Sequence, residues 1–447
     1  MRPNPWNVRM SRQMWIVAGL LSIQMAMAQN MPLTEALDRA IEGNPSLQAV
    51  QAQREAADLR VWETRGAHLP QISLNAAYSW SEKPLIVLPI HQQGVFPPLD
   101  DRIFESNVQV SVPIFTGGKT ITRTRAAEAG ARQAEANSDA ARMDLLQQIL
   151  LIYIGTAEID DGRTLLSARL SDLRKRRDEL LAQLDEGRTA PAQPALLQSH
   201  IEILRADSIN LQQNASDLAW RLGRLLGLDA PIEAEVTSLE FSTPELRKEL
   251  SGERSTERNS EWQRAHATML QAEAEAAFAT ASFYPDVSGF ALYNYRSGGS
   301  AWDPAGEWIA GFRLSLPLLE GGRRIVSLSA SRATLRAAEQ QLKATEQWVH
   351  SEREIAREQW SSAYSRMGHS RQAYRQKAEF VEAQRTLHAS GRIPLSELMT
   401  QETELLHLAL QERGQKYESL RAATQYYRIT GMLTRDVLLT IAGEKNQ

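Results

Sequence analysis

Between Gln71 and Trp80, Ile72, Leu74, Ala76, Tyr78 and Trp80 fall on one side of a period-two alternation, with Gln71, Ser73, Asn75 and Ser79 on the other. That pattern predicts a strand with two unlike faces. Val108, Val110 and Val112 alternate in the same way with Asn107, Gln109 and Ser111, and Trp308, Ala310, Phe312, Leu314 and Leu316 with Arg313 and Ser315. Asp286 to Tyr295 alternates less cleanly, because Phe290 and Leu292 share the Ser288 side. Helical patterns precede the two strand pairs, from Leu33 to Leu69 and from Ser260 to Tyr284, and Pro70 and Pro285 end them. Pro113 and Pro317 stop the strands, since proline cannot donate to a ladder. Gly117-Gly118 and Gly321-Gly322 then let the backbone turn into helices running from about Lys119 to Leu184 and from Arg323 to about His388. At 1.5 Å per residue, ~66 residues make a rod of roughly 100 Å, a length that signals coiled-coil packing.

The seams of that packing are legible. Leu166, Leu170, Leu173, Arg177, Leu180 and Leu184 step by four and three, as do Leu197, Ile201, Leu204, Ser208, Leu211, Ala215, Leu218, Leu222 and Leu225. Pro191 and Pro194 mark one hairpin turn and Pro394 a second, the first reading two residues longer than the other.

The chain is written twice. Leu69-Pro-Gln-Ile-Ser73 recurs as Tyr284-Pro-Asp-Val-Ser288, an offset of 215, and Val110 to Lys119 recurs as Leu314 to Arg323, an offset of 204 shared by Gly187-Arg188 and Gly391-Arg392. The first copy therefore holds 11 extra residues between its strands, where the proline-rich stretch Lys83 to Asp101 reads as a long loop. The expected organisation is a signal peptide over 1–28, a first repeat over 29–228 and a linker over 229–259. A second repeat over 260–430 and a short peripheral tail over 431–447 complete it.

Composition narrows the class. With 43% apolar and 23% charged residues and Lys+Arg 50 against Asp+Glu 54, the net charge of −4 offers no reason to expect nucleic acid as a partner. The chain has no Cys, which removes disulfides, thiolate metal sites and a lipid-anchoring N-terminal Cys. Arg2, Arg9 and Arg12 precede the apolar run Trp15 to Ile23, and Ala26-Met27-Ala28 fits a cleavage site, so the chain is expected to be exported.

An exported chain with four two-faced strands has unpaired sheet edges, and membranes tolerate strands only in closed barrels. Two copies would give eight strands with a filled interior, and three would give twelve with room for a lumen. Tyr78, Trp80, Phe104, Tyr293, Tyr295, Trp302 and Trp308 suit an interfacial aromatic belt. The alternative is an exported coiled-coil structural or adhesive protein with a small β-head.

The duplicated strand-Pro-x-x-x-Gly-Gly-basic-helix pattern, the opening Leu33-Thr-Glu-Ala-Leu-Asp-Arg-Ala-Ile-Glu-Gly-Asn-Pro45 and the Gly-Arg hairpin turns resemble the TolC family of outer-membrane efflux and secretion channels. The resemblance implies a mainly helical, duplicated chain with four transmembrane β-strands. Three such chains would form a twelve-stranded barrel in the Gram-negative outer membrane, continued by a twelve-helix periplasmic tunnel. It further implies a periplasmic adaptor and, through it, a proton- or ATP-driven inner-membrane pump as partners, with outer-membrane lipid around the barrel. On the same ground Glu397, six positions past Gly391, is the candidate periplasmic gate residue, with Thr400 where some members carry a second acid. Gly187, Arg188, Gly391 and Arg392 are the candidate adaptor-docking tips, Gly for the turn and Arg for the partner's carbonyls. Pro113, Gly117, Gly118, Pro317, Gly321 and Gly322 form the strand-to-helix turns.

No cofactor and no enzymatic activity is expected. Gly118-Lys119-Thr120 lacks the glycine a phosphate-binding loop needs, since Pro113 stands there. Glu404-Leu-Leu-His407 is a single Glu-x-x-His, whereas a di-metal bundle site needs two.

Overall fold

The computed structural model describes residues 30–87, 99–236, 256–298 and 305–443. The expected signal peptide, Trp302, residues 88–98 of the expected loop and residues 237–255 of the expected linker lie outside the described residues. The chain opens with β1 (Asn30–Met31), α1 (Leu33–Gly43) and α2 (Pro45–Gly66), followed by strands β2 (Gln71–Ile86) and β3 (Leu99–Phe115). The first hairpin is α3 (Lys119–Asp185) and α4 (Ala192–Leu225), after which β4 (Glu233–Ala234) pairs parallel with β1. The second half follows with α5 (Ser260–Ala281), β5 (Asp286–Gly298), β6 (Ala305–Ser315), α6 (Arg323–Ala389) and α7 (Leu395–Ile429), and α8 (Arg435–Ala442) comes last. α3 and α6 are each 67 residues long.

Several expectations need correction. The single helix from Leu33 is two helices. Pro45 cannot supply the N–H that a continuous helix requires, so Asn44 turns extended and its side chain accepts from the Leu47 amide as a cap. The first strand pair outruns its expected bounds, with Leu85 facing Asp100 and Ile86 facing Leu99 beyond an irregularity. Pro84 is tolerated there because it falls between Trp80 and Leu85, where the ladder to β3 is interrupted. Pro113 does not end β3. Pairing with β2 has already stopped at Ser111, and the strand runs to Phe115 through a register shift against β5. Between their helices the hairpin turns differ by one residue, six against five, not two.

The principal core joins both halves. Tyr153, Ile149 and Leu150 of α3 pack with Leu37 of α1, Trp360 of α6, and Tyr426 and Tyr427 of α7. The tail is part of this core, not peripheral. Thr434 caps α8, and Leu438, Leu439, Ile441 and Ala442 are buried. Arg435 binds Asp38 through two 2.7 Å hydrogen bonds. A second cluster lies lower on the first hairpin, where Leu170, Leu173, Leu197 and Ile201 meet Leu395 and Met399.

The duplication governs detail as well as outline. Asn44 Nδ2 donates to the Leu225 carbonyl at 2.9 Å, and Asn259 Nδ2 donates to Ile429 at 2.8 Å. Each Asn caps a helix while closing off the end of another, and the pairs are related by the same two offsets as the sequence repeats.

Candidate functional site

The four long strands form one antiparallel sheet in the order β2-β3-β5-β6, so β2 and β6 are its edges. Register sorts the side chains by face. Leu74, Val108, Tyr293 and Trp308 align across all four strands, and Phe312 and Leu314 follow on the same side. Trp308 is 76% exposed and Phe312 80% exposed, an apolar surface that nothing in the protomer covers. On the other face Asn75, Asn107, Asn294 and Glu307 align. Asn75 donates to Asn107 at 3.0 Å, and Arg296 pairs with Glu105 at 2.8 Å. Phe290 and Leu292 lie on this polar face, as the imperfect alternation of their strand predicts, and Arg313 stacks over Phe290 at 5.3 Å. A sheet with one oily and one polar face can separate lipid from water.

The strand-to-helix turns hold the helices under this sheet. Gly117 and Gly118 adopt φ 62 and 90, and Gly321 and Gly322 adopt 59 and 79, the left-handed region that disfavours any residue with a Cβ. A Cβ on Gly117 would stand 2.4 Å from that of Tyr284. Lys119 leaves the first turn and binds Asp286 at the start of β5, 2.6 Å away.

At the far ends both hairpins stop in the same way. Arg188 N donates to Gln183 O and Arg392 N to Leu387 O, while Gly187 and Gly391 sit at φ 70 and 74. This is the Schellman closure, which requires the glycine for its left-handed turn. The arginine amides are consumed by it and the side chains are not. Arg188 reaches back to Glu186 at 2.7 Å, and Arg392 is exposed. Glu397 is exposed in the first turn of α7, where the helix dipole favours a carboxylate. Thr400 Oγ1 donates to the Ser396 carbonyl at 3.0 Å. Among the described residues no hydrogen bond or ion pair joins Gly187 or Arg188 to Gly391 or Arg392. Instead, Leu395 and Met399 meet the flank of the first hairpin at Leu170 and Leu173.

One residue was missed. Glu402 is buried on α7 and receives three arginines: Arg169 and Arg176 of α3, at 2.8 and 3.1 Å, and Arg385 of α6, at 2.8 Å. Burial alone would raise its carboxyl. The charges of Arg169 and Arg176 and the hydrogen bond from Arg385 outweigh that and hold it below the usual carboxylate range. Higher up, the charges are reversed. Asp144, Glu158 and Asp161 of α3 face Arg428, Arg421 and Arg413 of α7, and Tyr417 donates to Asp161 at 2.7 Å. Burial and that hydrogen bond push the Tyr417 phenol up. The signal for Glu402 was present, since it continues the buried positions Leu395, Leu398 and Met399 at helical spacing. A charge on a seam requires a buried partner.

Comparisons with known proteins agree with this geometry. The sequence profile of the outer membrane efflux protein family matches residues 36–228 and 252–432. The chain is 21% identical over 320 residues to the outer membrane protein TolC of Vibrio cholerae, covering 70% of each. Its fold is similar to that of the outer membrane protein VceC of Vibrio cholerae, with a TM-score of 0.76 at 19% identity over 89% of this chain and 96% of that one. The Campylobacter jejuni outer membrane channel CmeC gives 0.74 at 14% identity over 90% and 85%. The open-state MtrE outer membrane channel of Neisseria gonorrhoeae gives 0.72 at 17% over 90% of each.

Proposed function

Because the chain belongs to the outer membrane efflux protein family, we propose that it is the outer-membrane exit duct of a tripartite efflux pump or a type I secretion system. Three copies close twelve strands into a barrel in the Gram-negative outer membrane, reached after cleavage of the signal peptide over 1–28. Their hairpins continue it as a twelve-helix tunnel through the periplasm. The duct is passive. A periplasmic adaptor docks at Gly187, Arg188, Gly391 and Arg392 and connects it to an inner-membrane pump, and docking rearranges the helices near the tips to open it. Three Glu397 carboxylates line the constriction, where like charges held close bind cations.

The observation that carries this reading is the sheet: one apolar face, one polar face and two open edges, a combination that lipid tolerates only when closed. Extraction and planar-bilayer recording test it. Detergent-dependent extraction and stepwise conductance are expected. A trimer soluble without detergent that never enters lipid would instead favour the exported coiled-coil protein with a small β-head. For the gate, Glu397→Ala should relieve block of single channels by divalent cations, and unchanged block would return Glu397 to an ordinary helix-cap acid. For docking, Arg392→Glu should abolish cross-linking to the adaptor.

A further inference from the structure

The strand pairs of the two halves share one register. Ile72 faces Val110, and their equivalents Val287 and Leu314 face each other. Gln71–Ser111 corresponds to Asp286–Ser315, and Trp80–Arg102 to Tyr295–Gly306. Within one copy, the last strand of the first half pairs with the first strand of the second, β3 with β5. The unpaired edges are therefore the last strand of the second half, β6, and the first strand of the first, β2.

We propose that β6 pairs antiparallel with β2 of a second copy in the register that β3 and β5 already display, an inference that rests on the barrel reading above. Val110 faces Ala291 and Val108 faces Tyr293. The offsets convert these pairs into Leu314 opposite the partner's Ala76 and Phe312 opposite the partner's Tyr78.

Three observations support this register. The apolar face stays continuous across the junction, whereas a slip of one residue would turn every apolar side chain to the polar side. Carried toward the strand ends, the pair Ile103–Gly298 becomes Glu307 opposite the partner's Lys83. These are opposite charges, and neither has an ion-pair partner among the described residues of its own copy. The helix below repeats the pattern. α5 lies between the long helices α3 and α6, while its equivalent α2 packs mainly on α3. Accordingly Ala274 is 5% exposed and its counterpart Leu59 is 60% exposed, as expected of a position that the partner's α6 covers.

The chain has no cysteine, so engineered pairs report cleanly. Phe312→Cys with Tyr78→Cys, oxidised in detergent, should yield covalent dimers and trimers on the order of ten times more efficiently than Phe312→Cys with Ala76→Cys or Trp80→Cys, because diagonal neighbours lie beyond disulfide reach. A mass measurement on the same sample separates the possible failures. A trimer that cross-links best through Ala76→Cys or Trp80→Cys, or through none of the three, overturns the register and leaves the channel reading standing. A single copy overturns both. Charge exchange gives a second readout that does not depend on cysteine chemistry. Lys83→Glu should lower the temperature at which the trimer dissociates in SDS, and adding Glu307→Lys should restore it. No recovery in the double variant would overturn the pairing.

Discussion

Lys119 and Arg323 occupy equivalent places at the two strand-to-helix turns, yet they bind differently. Lys119 reaches across to Asp286, in the other half of the chain. Arg323 stays within its own turn on Glu320 at 3.0 Å, and the position corresponding to Asp286 holds Gln71, an uncharged residue. The acid has moved from the far side of the junction into the turn itself, since Thr116 stands where the second half has Glu320. The hairpins diverge in the same spirit. The first is joined by a leucine-isoleucine seam, beside which Arg177 Nη1 donates to Gln198 at 2.9 Å. The second is fastened to the first through the buried carboxylate of Glu402. A duplicated backbone can thus be kept while its polar contacts are reassigned.

Removing the Glu402 carboxylate tests this difference most severely. Glu402→Ala leaves three arginines facing an emptied buried site and should destabilise the helical region by about 3 kcal/mol, at the lower end for a broken buried pair because two of the arginines are partly exposed. Gln198→Ala, in the other hairpin, should cost about 1 kcal/mol or less. Urea unfolding of both variants decides, and equal losses would mean that the hairpins are held alike.

Acid should reproduce part of that loss reversibly. Since the folded Glu402 carboxyl titrates below its unfolded value, its contribution is complete above the ordinary carboxylate pKa and is lost as pH falls through the folded one. The Glu402→Gln variant should therefore show a shallower decline in thermal stability below about pH 4.5 than the parent chain. Where the halves agree, the variants should agree. Asn44→Ala and Asn259→Ala should each cost about 1–2 kcal/mol, since each loses a helix cap and a bond to a distant carbonyl. The smallest effect is expected at the turn. Lys119→Ala should cost below about 1 kcal/mol, because Asp286 is half exposed and screened, and Arg323→Ala about nothing; salt should erase the difference between them.

Much of the fold was legible because its signals are local and periodic. Alternation marked the strands, the 215 and 204 offsets marked the duplication, and Gly117-Gly118, Gly321-Gly322, Gly187 and Gly391 marked turns that only glycine makes easily. The break at Asn44-Pro45 was equally readable and was passed over. Gly187 and Gly391 fall at the turns between the long helices and their partners, where helix closure takes up the amides of Arg188 and Arg392.

By itself, the sequence determined which segments are strand or helix and that the same unit occurs twice, since these follow from spacing along a single segment. Only the tertiary structure decided that β3 pairs with β5, that α8 closes the main core, and that Glu402 gathers Arg169, Arg176 and Arg385. Those choices join residues from 17 to more than 200 positions apart, in a chain where 50 basic residues stand against 54 acidic ones. With so many admissible partners, charge alone names none of them, and the packing of the long helices makes the selection.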